Sequence, residues 1–236
     1  MSAHHRPKVL TIDGPSGAGK GTAAIRCARE LGWGLLDSGA LYRLTALKAL
    51  REGVSLDDEA GIASIGGQLD VRFEPDVDRD RVIAWLDGDR VGPELRTEEA
   101  GQAASRVALL PALRRALLER QRMLAWDQPL VADGRDMGTV VFPDACCKVF
   151  LTASVEVRAI RRRQQLIEQG VTATLDDLRL ALSERDAQDA NRAVAPLKPA
   201  DDAWIVDSSN LEIEAVVCLI CERARANCDR TAATSS

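Results

Sequence analysis

Val9-Leu-Thr-Ile-Asp13, running straight into Gly14-Pro15-Ser16-Gly17-Ala18-Gly19-Lys20-Gly21-Thr22, is the stretch that decides the fold. The apolar run reads as a buried strand, and Ile25, Ala28 and Leu31 beyond the glycines lie on one helical face. Strand, glycine-rich loop, lysine and helix in this order make a phosphate-binding loop. The glycines let consecutive N–H groups turn inward around phosphate oxygens, and the helix adds its positive N-terminal end. Lys20 supplies a mobile charge to the β- and γ-phosphates of a nucleotide. One position departs from the usual pattern: Gly21 follows Lys20, and the hydroxyl comes one place later, at Thr22. The expected Mg2+ is therefore read as held largely by water and nucleotide phosphates, which suits an ion that dehydrates reluctantly.

Working outward, short apolar strands alternate with helical segments, the pattern of a parallel α/β sheet. The strands are expected at Val9–Ile12, Gly34–Leu36, Leu130–Ala132, Lys148–Leu151 and Ala203–Val206. Asp13, Asp37, Asp133 and Asp207 follow four of them. Ligands of open parallel sheets bind outside the carboxyl ends of the strands, so these carboxylates are expected to point toward a site. Between strands, Pro111 opens a helix with Leu113, Leu117 and Leu124 on one face. Thr174 with Asp177, and Ser209 with Glu212, read as capping boxes, the second ahead of an Ile213, Val216, Val217, Ile220 packing stripe. Residues 68–93 break the alternation. Leu69, Val71 and Phe73 alternate with polar residues, and Val82–Leu86 leads into Asp87-Gly88, a hairpin signal. The fold class is α/β: a five-stranded parallel sheet flanked by helices, with a small antiparallel insert. The end of the chain, Thr231–Ser236, reads as a frayed tail.

Composition excludes several function classes. The 236 residues carry 31 Lys+Arg against 36 Asp+Glu, a net charge of -5, which argues against sequence-independent nucleic-acid binding. No apolar run approaches the ~18–20 residues that span a bilayer, and the short polar start lacks a signal-peptide core. The protein is accordingly expected in the cytoplasm, with Cys27, Cys146, Cys147, Cys218, Cys221 and Cys228 as reduced thiols. Cys218-x-x-Cys221 and Cys146-Cys147 read as ordinary packing, since no second pair or histidine stands at ligand spacing. Both histidines, His4 and His5, sit in the N-terminal tail, which removes histidine-based catalysis and metal sites.

Three further segments place arginines and carboxylates after strands or on a helix. They are Asp37-Ser-Gly-Ala-Leu-Tyr42-Arg43, Asp133-Gly-Arg135-Asp136-Met-Gly, and the stripe Arg185, Asp189, Arg192. The last continues from Leu178 and Leu182 at helical spacing, as expected of a helix leaving the core for a polar cleft. The competing reading is a solvated face with surface ion pairs.

Together, Gly14–Thr22, Leu36–Arg43, Ala132–Thr139 and Glu184–Arg192 closely resemble bacterial cytidylate kinases, within the nucleoside monophosphate kinases. The resemblance covers nearly the whole chain, including the insert. It implies a P-loop NTPase fold and ATP-dependent, Mg2+-assisted phosphorylation of CMP, and of dCMP, with no nucleic-acid or membrane partner and a monomeric state. It implies core segments at residues 1–37, 94–153 and 195–236, a monophosphate-binding region at 38–93, and a lid with its following helix at 154–194. By the same resemblance Arg43, Arg135 and Arg192 grip the monophosphate and serve catalysis together with Lys20. Ser38 and Tyr42 line the CMP site, Ser105, Arg114 and Asp136 read cytosine, and Arg185 and Asp189 meet the sugar hydroxyls. The loop from Gly14 to Thr22, with lid arginines Arg158 and Arg162, holds ATP; Asp37 or Asp133 orients the waters of magnesium. Taken alone, Ser105, Arg114 and Arg163 read as surface residues.

Two rivals remain open on the residues themselves. One is a kinase for UMP or AMP; the other is a nucleotide-dependent switch that binds a partner protein. A guanine switch is disfavoured, because none of Asn191, Asn210 and Asn227 begins an Asn-Lys-x-Asp reader.

Overall fold

The computed structural model describes residues 8–76, 81–126, 128–168, 170–192 and 195–233. The tail carrying His4 and His5 lies outside them. In chain order the elements are β1 (Val9–Asp13), α1 (Lys20–Leu31), β2 (Gly34–Asp37), α2 (Ser38–Arg51), α3 (Glu59–Gly67), β3 (Val71–Asp76), β4 (Arg81–Leu86) and β5 (Asp89–Val91). After them come α4 (Glu98–Val107), α5 (Pro111–Met123), β6 (Leu130–Gly134), β7 (Cys147–Thr152), α6 (Val155–Glu168), α7 (Leu175–Ala190), β8 (Trp204–Asp207) and α8 (Ile213–Ala233).

β1 is buried at all five positions because it lies at the centre of the sheet. The order is β2-β6-β1-β7-β8, with every neighbour parallel. A strand covered on both faces needs an apolar run rather than alternation, which is what Val9 to Ile12 supplies. All five expected strands are present, differing by a residue or two at their ends. One core layer joins β1, β2 and β6 to α2, α3, α5 and the insert; the other joins the sheet to α1 and α8.

The helices show why the sequence signals work and where they fail. Ala23, Ala24 and Ala28 are buried on α1, small enough to bring its backbone close to the sheet. The helix stops at Gly32, whose φ of 67° only glycine adopts readily. Pro111 sits in the first turn of α5, and Leu113 and Leu117 are fully buried. Leu124 does not share their face: it is the C-cap residue and 38% exposed, because the helix ends before it can complete the stripe. Thr174 caps α7, its hydroxyl accepting from the Asp177 N–H at 3.1 Å. Ser209 caps nothing. Its hydroxyl donates to Asp207 at 2.6 Å and accepts from the Ser154 N–H at 2.9 Å, and α8 begins at Ile213 instead. Val216 and Ile220 are buried as expected. Thr231–Ala233 continue α8 instead of fraying, and residues 234–236 lie outside the described residues.

The insert is a three-stranded antiparallel sheet ordered β3-β4-β5. Asp87 (φ 52°) and Gly88 (φ 86°) form the two-residue turn between β4 and β5, both left-handed as a type I′ turn demands. Ala84, Leu86 and Val91 anchor the insert in the first core layer.

The cysteine expectation needs correction. Cys146, just before β7, and Cys228, near the end of α8, form a disulfide across 82 residues. The fold brings them together by laying α8 back along the sheet, and no local spacing announces such a pairing. Cys27, Cys147, Cys218 and Cys221 are free thiols. Among the described residues, no helix is long and apolar enough to cross a membrane.

Candidate active site

The carboxyl ends of the strands open into a cleft of about 1370 Å³, larger than the roughly 300–1,000 Å³ of a single small-ligand pocket. One wall is the phosphate loop. Ser16 through Thr22 line the cleft, while Gly14 and Pro15 do not. A Cβ on Gly14 would stand 2.0 Å from the Leu151 carbonyl oxygen, so only glycine lets the loop cross the end of β7. Lys20, at the start of α1, donates to the Pro15 carbonyl at 2.9 Å.

Burial dominates the ionisation of this wall. It lowers the Lys20 ammonium and raises the Asp133 carboxyl, with the attraction between the two opposing both shifts. Asp133 Oδ1 is buried and accepts no hydrogen bond, whereas Asp37 accepts from the Ala40 N–H at 2.9 Å and caps α2. A Cβ on Gly21 would lie 3.5 Å from Asp133 Oδ2, so the missing side chain keeps the space beside that carboxylate open. An unpartnered carboxylate oxygen near Asp37, in a cleft that Thr22 also lines, is oxygen chemistry that fits a hard cation.

Only two of the four strand-end carboxylates face the cleft. Asp13 turns back, accepting from the Met137 and Gly138 N–H groups, each at 2.8 Å. Burial outweighs those two bonds and pushes its carboxyl up to about 6. Asp207 is exposed and held below the usual carboxylate range by the Ser209 hydroxyl and N–H.

The rest of the cleft lining gathers residues from five separate segments. Ser38, Tyr42 and Arg43 come from α2, Ser105 from α4, Arg114 from α5, Arg135 and Asp136 from the turn after β6, and Arg185 from α7. Arg192, just beyond α7, completes the set. Arg114 and Asp136 form an ion pair. Burial pushes the Tyr42 phenol up to about 12, against the pull of Arg114. Asp189 is 1% exposed and lies behind the wall, paired with both Arg135 and Arg192. Burial lowers the Arg192 guanidinium from its ordinary value, with Asp189 opposing. The insert contributes the apolar Val82, Ala84 and Val91.

The two lid arginines named from sequence part company. Arg162 lines the cleft, but Arg158 is buried behind the phosphate loop, its Nη1 donating to the Ser16 carbonyl at 3.0 Å.

With this geometry in place the comparisons are decisive. The family model for cytidylate kinase matches residues 10–226. The chain belongs to the cytidylate kinase family. It is 57% identical over 209 residues to the cytidylate kinase of Bordetella bronchiseptica, covering 89% of this chain and 91% of that one. It is 55% identical over 212 residues to the cytidylate kinase of Azotobacter vinelandii, covering 90% and 93%. Membership of the cytidylate kinase family makes this enzyme a kinase, a phosphotransferase. A solved structure of an uncharacterized protein from Eubacterium ventriosum is similar with a TM-score of 0.50 at 11% identity, over 94% of this chain and 99% of that one. That likeness concerns the fold alone.

In this member of the cytidylate kinase family, Arg161 and Ser208 line the cleft and Asp186 lies behind it; the sequence marked Arg161 only as one of the lid-segment arginines and gave none of the three an individual role. Arg161 lines the cleft and donates to the Ser208 carbonyl at 2.7 Å and the Ser208 hydroxyl at 3.1 Å. The spacing of Arg158, Arg161 and Arg162 already places all three on one helical face, a signal that could have found it. Ser208 carries no such mark. Cys218 and Cys221 separate, the first exposed against Glu222, the second buried and hydrogen-bonded with Cys27. Among the described residues no group of three or more His, Cys, Asp or Glu side chains stands together as a metal-ligand cluster.

Proposed function

We propose that this enzyme transfers the γ-phosphoryl group of ATP to a phosphate oxygen of CMP or dCMP, releasing ADP and CDP or dCDP. The observation that carries the reading is that one cleft is lined both by the phosphate loop and by Arg43, Arg135, Arg185 and Arg192. A nucleotide switch needs only the loop. The acceptor oxygen is already anionic near neutral pH, so no strong general base is required. The barrier is chiefly the approach of two polyanions and the charge on the transferring group. Guanidinium groups suit that task because their planar forks bind phosphate bidentately and stay charged. Before ligand arrives, Asp189 neutralises Arg135 and Arg192; an incoming phosphate competes for the same forks.

Lys20 would serve the donor phosphates. Asp133, Asp37 and Thr22 would hold Mg2+, largely through water; the ion would supply neutralisation of the negative charge on the phosphates. Arg162 and Arg161 would close on ATP, with residues 154–194 acting as the lid, 38–93 as the monophosphate-binding region and the rest as core. Closure excludes water, which would otherwise intercept the phosphoryl group. Ser38 and Tyr42 would flank the monophosphate, and Arg185 the sugar.

Cytosine is favoured by the Arg114–Asp136 pair. The carboxylate can accept from the exocyclic amine while the guanidinium donates to the ring acceptors. Uracil presents an acceptor to the carboxylate and a ring N–H to the guanidinium, so both contacts oppose it. Because one chain lines both walls, the enzyme acts as a monomer; we place it in the cytoplasm with its nucleotides. A coupled assay of ADP formation with ATP and CMP, dCMP, UMP or AMP tests the assignment. CMP and dCMP are expected to dominate, and predominant UMP or AMP turnover overturns it.

A further inference from the structure

We propose that Asp186 is a positioning residue: through Arg158 it ties the phosphate loop to α7, so that donor and acceptor walls keep one spacing. The proposal rests on the phosphoryl-transfer reading above. Arg158 is 3% exposed and does not line the cleft, and neither does Asp186. The Arg158 guanidinium is engaged elsewhere through all three of its nitrogens. Its Nε donates to the Ala153 carbonyl at 3.0 Å, and Nη1 donates to the Ser16 carbonyl at 3.0 Å. Nη1 and Nη2 reach the two Asp186 oxygens at 3.1 and 2.6 Å, a bidentate pair. Contact with the loop is close: a Cβ on Gly17 would lie 3.2 Å from the Arg158 Cβ.

One buried guanidinium therefore joins the end of β7, the phosphate loop and α7. On α7, Asp186 follows Arg185 directly and precedes Asp189 by about one turn. Asp189 in turn pairs with Arg135 and Arg192. The resulting line of contacts runs from the loop that faces the donor to the guanidinium groups that face the acceptor, behind the cleft wall throughout. In-line transfer is sensitive to such spacing, since a misplacement of about 1 Å can cost about a hundredfold in rate. Arg158 thus acts through what it holds, not by reaching the nucleotide.

The test compares Asp186→Asn, which keeps size but removes charge and one acceptor, with Arg158→Lys, which keeps charge but removes the fork. Steady-state kcat and KM are measured for ATP and CMP, and each nucleotide's Kd is measured alone by calorimetry. Asp186→Asn is expected to lower kcat roughly tenfold or more while each Kd stays within about threefold. The double variant should be no worse than the poorer single one, because the two residues act as a unit. Asp186→Glu should recover part of the rate. A kcat within twofold of wild type in Asp186→Asn overturns the proposal. So does a large rise in ATP KM confined to Arg158→Lys, which would mean that Arg158 meets ATP directly. Should Asp186→Asn not fold, judged by circular dichroism, Arg158→Lys and Asp186→Glu carry the same comparison. Wild-type protein that phosphorylates no monophosphate sinks the functional reading instead, a different outcome from any of these.

Discussion

Asp136 and Arg114 show how much one buried pair can decide. Their side chains are 12% and 11% exposed, so removing either partner leaves the other poorly solvated and unpaired. Asp136→Ala is expected to lower kcat/KM for CMP about a hundredfold or more, while ATP Kd changes less than about threefold. Equal losses for both nucleotides would remove Asp136 from the base-reading role. Asp13 makes a second prediction, about pH. Its carboxyl lies at about 6 in the folded protein against 3.8 ordinarily, a raised value. The stability it contributes is therefore complete below about 3.8 and is lost as pH rises through about 6. The loss is on the order of 3 kcal/mol from the 2.2-unit difference. Asp13→Asn carries a fixed cost, since an amide cannot accept from both the Met137 and Gly138 N–H groups, but it does not titrate. Urea unfolding at pH 4 and pH 7.5 should show the variant gaining about 2–3 kcal/mol relative to wild type over that interval; a constant difference would contradict the burial argument.

The strand, loop and helix from Val9 to Leu31 are the element on which the proposed ATP binding rests. Gly14 has a φ of 150° and its absent Cβ is replaced by the Leu151 carbonyl. Gly14→Ala must displace backbone, not a flexible side chain, so we expect ATP binding to fall at least tenfold and thermal stability to drop measurably. Normal ATP binding by calorimetry in that variant would show that the loop tolerates the shift. The insert follows a different logic. Its hairpin is locally encoded by Asp87-Gly88, yet its use as a cleft wall depends on Ala84 and Val91, which serve the core and the cleft together.

Across the whole molecule, the Cys146–Cys228 disulfide closes a long segment holding β7, α6, α7, β8 and most of α8. Closing a loop of that length stabilises by about 2–4 kcal/mol, mostly through the unfolded chain. Dithiothreitol, or Cys228→Ser, is expected to lower the unfolding free energy by that amount. Because the bond lies at the far end of the sheet from the cleft, kcat should change less than about twofold at 25 °C. Titration of six thiols in the denatured, unreduced protein would show that the bond is not formed.

Much of this was legible in one dimension. The phosphate loop, the five strands, the insert and its turn depend on neighbouring residues: apolar runs, glycines where φ is positive, a proline opening a helix. These are local steric and solvation preferences, and they survive without knowledge of the fold. The resemblance also pointed to the arginines. Tertiary structure alone decided which carboxylates face the cleft, that Asp189 stands behind two guanidiniums, that Arg158 turns to Ser16 and Asp186, that Ser209 caps nothing and that Cys146 meets Cys228. In each case a polar side chain or thiol had several possible partners along the chain. The choice among them fell to whichever group the packed sheet and helices brought within about 3 Å, for a hydrogen bond, or closer for the sulfurs.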